Sequence, residues 1–118
     1  MARATAASTE TELLPEPDKL EGFPSPRLTE RLYGQAPAEQ HFLDAFNSGR
    51  LHHGWIVTGP AGIGKATLAY RVARFLLAGD SERDMFGGSL AIDVCTSAAR
   101  LVANLAHPEL LVLRRPYD

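Results

Sequence analysis

The sequence predicts an α/β fold: part of a phosphate-loop domain, with parallel strands joined by crossover helices, incomplete at its C-terminal end and led by a disordered tail. Three observations predict it. "GWIVTG" and "ELLVLRR" are short apolar runs of strand formers. The segments between them repeat apolar residues at helical spacing. A glycine-rich turn, "TGPAGIGKAT", joins the first run to the first of those helices. Strand, turn, helix and second strand in that order make a βαβ-type unit with a right-handed crossover.

The chain has 118 residues, enough for one small domain. Residues 1–30 carry six acids and three bases, and the remainder carries eight acids and nine bases, so the acidic excess belongs to the leading segment. Residues 1–28 hold four of the eight prolines. Such a segment buries too little to offset its ordering entropy and is read as a disordered acidic, proline-rich tail. Residues 29–118 are read as the N-terminal part of a phosphate-loop domain. The start lacks the apolar core of a secretory signal, and no stretch reaches the ~18 apolar residues of a membrane span. Cys95 is the only cysteine, so no internal disulfide and no multi-cysteine zinc site is available. A cytoplasmic protein is expected.

"APAEQHFLDAFNSG" is the first helix. Ala38, Phe42, Ala45 and Phe46 form its apolar stripe, Pro37 suits its first turn, and Gly49 suits the left-handed position after its last. Trp55, Ile56 and Val57 follow as a strand buried on both faces. In "GKATLAYRVARFLLAG", Leu68, Val72, Phe75 and Leu76 share a face, with Arg71 and Arg74 on or near the other. Residues 80–92 lack a clean period and are read as loop. "DVCTSAARLVANLA" is a helix that Asp93 is placed to cap, with Ala98, Leu101, Val102 and Leu105 apolar and Cys95 a small buried residue. His107-Pro108 stops it, and "ELLVLRR" is the second buried strand.

The turn carries the chemistry. Gly59, Gly64 and Lys65 meet the pattern Gly-x-x-x-x-Gly-Lys, and a strand before and a helix after are the arrangement that supports it. Gly59, Gly62 and Gly64 permit backbone angles closed to other residues. The backbone amides along positions 59 to 65 are expected to line an anion-sized bowl. The following helix points its positive end there, and Lys65 adds a full charge. The bland alternative is a turn with no ligand. Ala66 stands where a Ser or Thr hydroxyl would ligate Mg²⁺, and Thr67 lies about 100° further round the helix. The second apolar run ends in Arg114 and Arg115 instead of the acid a hydrolase needs. Weak nucleotide binding with negligible turnover is expected. His52, His53 and His107 show no metal-ligand spacing, and His53 is read as a packing or hydrogen-bonding residue.

The letters "LYGQ", "SGRLHHGWIVTGP", "GIGKATLAYRVARFLLA" and "AHPELLVLRRP" resemble, over residues 28–118, the AAA+ modules of bacterial DNA polymerase III clamp loaders, and most closely the delta-prime class. The resemblance implies a stator-type subunit that loads the sliding clamp during DNA replication without hydrolysing ATP. It implies the motor and delta subunits as partners, the clamp as an indirect one, and DNA contact only through the assembled complex. ATP or ADP would bind weakly or not at all at Gly59, Pro60, Ala61, Gly62, Ile63, Gly64, Lys65, Ala66 and Thr67. Tyr33 would flank the base, the other reading of Tyr33 being a core aromatic. Relatives often carry a four-cysteine zinc module after the loop helix; here residues 79–106 hold Cys95 alone, so no zinc is expected. The alternatives are a fragment of an active AAA+ ATPase whose catalytic acid lies beyond residue 118, and a plain nucleotide-binding scaffold. Arg71, Arg74, Arg114 and Arg115 suggest a basic patch, though surface arginines mostly solvate a face or pair locally.

Overall fold

The first helix, α1 (Ala36–Asn47), forms where the apolar stripe places it. Proline stands in its first turn, and Gly49 takes φ 71° just past its end, the left-handed exit that a side chain would oppose. Phe42 and Leu43 are its buried residues, with Ala38 and Phe46 packed beside them. In this computed structural model, residues 21–85 and 88–113 are described.

The second helix, α2 (Lys65–Leu77), is the longest described element and the spine of the molecule. It buries Leu68, Tyr70, Arg74 and Phe75. A short helix, α3 (Asp80–Asp84), follows at once, inside the stretch expected to be loop. Glu82 accepts a hydrogen bond from the Gly79 N–H at 3.1 Å, which is half of a capping box. The last helix, α4 (Ser97–Ala103), starts on Thr96, whose hydroxyl accepts from the Ala99 N–H at 3.2 Å. Asp93 does not cap the helix itself. Its carboxylate accepts from the Cys95 N–H at 2.8 Å, tightening the turn that leads in. Cys95 sits exposed in that turn and not buried in the helix.

The core forms between α1 and α2. Phe42, Leu43, Leu68, Phe75 and Leu90 make one cluster, with Leu32, Leu51, Val72 and Ile92 partly buried against it. Phe46 and Phe75 meet edge to face with ring centroids 4.9 Å apart, and Phe42 stands 5.5 Å from Trp55. On the opposite flank α2 packs against α4 and against a single 3₁₀ turn, Pro26–Leu28. Packed structure thus reaches into residues 25–28, where Ser25 and Pro26 are buried. Residues 1–20 of the expected tail lie outside the described residues, as do Arg114 and Arg115.

The expected fold class is overturned. Among the described residues there is no strand and no sheet; the architecture is helical. Residues 54–57 and 110–113, expected as buried parallel strands, run without ladder partners. Ile56 is 90% exposed, and Leu111 and Leu113 are 81% and 86% exposed. A strand exists only when another strand satisfies its backbone groups, and an apolar run specifies burial without supplying that partner. Here the helices bury one another, and the two runs are left outside.

Two assignments of helix faces also change. Arg74, expected on the outward side, is 8% exposed, while Leu76, expected inward, is 39% exposed. The reason is that α2 is covered on two sides, by α1 and by the 26–28 turn with α4. The side away from the apolar stripe is therefore not solvent.

Candidate phosphate-binding loop

Residues 59–64 form the turn that enters α2, and their backbone is the one the glycines allow. Gly59, Gly62 and Gly64 have φ of 151°, 83° and 101°. Gly64 is the residue on which the helix starts, and Leu68 N–H closes the first turn onto its carbonyl at 2.8 Å. A Cβ at Gly64 would meet the Leu32 side chain, and one at Gly59 would overlap Ile63 Cδ1. Both positions therefore favour glycine for their angle, and a Cβ at either would also displace the tip of a flexible side chain.

The loop is held from outside. Gln35 Nε2 donates to the Ile63 carbonyl at 3.2 Å, tying the turn to the residue that precedes α1. Lys65 folds back over the loop, its Nζ donating to the Gly59 carbonyl and, at 3.1 Å, to the Pro60 carbonyl. The ammonium and the free N–H groups of the first turn of α2 are thereby gathered at one end of a 13-residue helix. That combination concentrates positive potential where an anion would sit.

The remaining site residues fall as follows. Pro60, Ala61, Gly62 and Ile63 are exposed on the turn, and Ala66 and Thr67 are half-buried in the first turn of the helix. Ala66 offers a methyl group, and Thr67 is one helical step round from it. Tyr33 is 76% exposed, so it is no core aromatic; its neighbour Leu32 is the residue that reaches Gly64. His52 and His53 are exposed, and the ring of His52 stands 5.9 Å from that of Trp55. Among the described residues, no group of three or more His, Cys, Asp or Glu is placed to hold a metal ion. No described helix is long and apolar enough to cross a membrane.

The sequence placed Arg74 in a surface basic patch, and the structure buries it instead. Its guanidinium is buried beside Arg71 and donates to the carbonyls of Arg27 at 3.4 Å and Thr29 at 3.1 Å. Burial first, and then the Arg71 charge, pull its pKa below the usual arginine value, while Glu30 opposes them. The signal available beforehand was the pair of arginines three residues apart on a helix otherwise read as amphipathic.

Comparison with family models, with curated proteins and with solved structures finds no match to this chain.

Proposed function

We propose that this chain is a stator-type subunit of a bacterial DNA polymerase III clamp loader, keeping a phosphate-binding loop that does not hydrolyse nucleotide. The observation that carries the reading is local. Residues 59–65 combine three glycines at positive φ, a lysine folded over the turn, and a helix start, followed at once by a methyl group at Ala66. Such a loop suits phosphate oxygens and leaves Mg²⁺ without its usual hydroxyl ligand. The lead-in "SGRLHHGWIVTGP" and the helix "GKATLAYRVARFLLA" supply the resemblance to clamp-loader subunits. The reading stands on the loop and α2, not on a sheet.

The chain then works by assembly. Its partners are the motor and delta subunits, and it meets the sliding clamp and DNA only through the complex. ATP or ADP binds weakly at residues 59–67, with Tyr33 near the base, and zinc has no role. A single cysteine fits a reducing, cytoplasmic setting.

Titration calorimetry with ADP, without added Mg²⁺, checks the loop. We expect a dissociation constant on the order of 0.1–1 mM, weakened about tenfold or more by Lys65→Ala. Lys65-dependent ATP turnover by the purified chain would refute the non-hydrolysing assignment. Failure to co-assemble with the motor and delta subunits of its own organism in native mass spectrometry would refute the clamp-loader assignment.

A further inference from the structure

A second concave site adjoins the loop: Leu32, which reaches Gly64, and Tyr33 are part of its lining. A cavity of about 710 Å³ opens between residues 27–33, α2 and the segment 90–104. Its volume is in the range of small-molecule sites. Five arginines and two acids line it; Arg71 is ion-paired with Glu39, and Arg27 has partners of its own. The chain as a whole is net negative, at −2, so this concentration of cations is local.

The buried part of that charge is poorly compensated. Arg71 pairs with Glu39 at 2.8 Å and also donates to the Glu30 carbonyl at 2.8 Å. Arg74 has carbonyl partners only; among the described residues it forms no ion pair. Carbonyl dipoles solvate a guanidinium but do not neutralise it. Of the two acids, Glu30 is exposed, and Asp93 has one carboxylate oxygen committed to the Cys95 N–H. At the rim, Arg31 and Arg100 are exposed, and neither side chain makes a hydrogen bond among the described residues. Leu90 and Ile92 give the same cavity an apolar wall.

We propose that this cavity binds a small organic anion with at least two negative charges. Its charged groups face Arg74 and the rim pair Arg31 and Arg100, and its carbon skeleton lies against Leu90 and Ile92. Guanidinium forks suit carboxylate and phosphate equally, so the class is set by charge and size. The site does not rest on the phosphate-loop reading. Arg71 is six residues along α2 from Lys65, about 9 Å by helical rise.

The experiment is an amide NMR titration of the full chain with citrate and, separately, with fructose 1,6-bisphosphate. We expect saturable shifts at Ile92, Asp93, Ala99 and Arg100 with at least one of the two, retained in Lys65→Ala. The double variant Arg31→Gln/Arg100→Gln should weaken binding about tenfold or more, and its exposed, unbonded side chains make it safe for folding. Arg74→Met is the harsher variant, read only if its spectrum stays dispersed. Absence of saturable cavity shifts below about 10 mM of either probe overturns the proposal. So do shifts confined to residues 59–66, or cavity shifts that the double variant leaves unchanged. A loss of ADP binding in Lys65→Ala with cavity shifts intact separates the two sites.

Discussion

Ser25 buries its side chain beneath the first turn, 2% exposed, and its hydroxyl has no hydrogen-bond partner among the described residues. Its carbonyl does the structural work, accepting from the Leu28 N–H at 2.9 Å and the Thr29 hydroxyl at 3.0 Å. A buried hydroxyl left unpaired carries its desolvation cost with nothing in return. Ser25→Ala should therefore leave stability unchanged or raise it by up to about 1 kcal/mol, measured by urea unfolding. A clear loss would mean that the hydroxyl has a partner. Gly64 is the opposite case. At φ 101°, with the tip of Leu32 where a Cβ would stand, Gly64→Ala should cost about 1–3 kcal/mol and weaken anion binding at the loop. The glycine pattern was legible at this scale, because positive φ and close approach are demands that sequence records directly. The fate of Tyr33 was not: whether an aromatic packs or faces water depends on what covers it, and the described residues leave Tyr33 76% exposed.

At the scale of elements, the C-terminal end of α2 shows how much one short helix contributes. Arg83, on α3, donates from Nη1 to the carbonyls of Phe75 at 3.1 Å and Ala78 at 2.5 Å. It is also ion-paired with Asp80. Its guanidinium carbon lies 5.5 Å from the Phe46 ring centroid and 5.7 Å from that of Phe75. A cation at a helix C-terminus satisfies orphan carbonyls and meets the negative end of the helix dipole. Arg83→Ala should cost about 1–3 kcal/mol, seen as a lower unfolding midpoint, and Arg83→Lys should recover only part of it. The helices α1, α2 and α4 were readable from apolar spacing together with Pro37 and Gly49, although the cap of α4 is Thr96 and not Asp93. The helix α3 was not, since five residues with no buried side chain leave no periodic signal. Arg83 acts through tertiary contacts that its own segment does not announce.

Across the whole molecule, Leu90 joins what the helices leave apart. It is 2% exposed, belongs to the core cluster, and comes from a stretch without helix or strand. Leu90→Ala should destabilise the chain by about 2–5 kcal/mol in denaturant unfolding, and its loss should loosen the wall of the arginine-lined cavity as well. A cost well under 1 kcal/mol would show that residues 88–92 dock only loosely on the core.

By itself the sequence determined local conformations: that α1, α2 and α4 form, and where the backbone turns left-handed around the loop. These follow from short-range sterics and spacing, which act within a few residues. Only the tertiary structure decided which apolar runs find cover. Trp55–Val57 and residues 110–113 have the composition of buried strands yet lie unpaired, while Arg74 is enclosed between α2 and the Pro26–Leu28 turn. Burial and strand pairing are properties of two surfaces meeting, and one segment's composition specifies only its half of that contact.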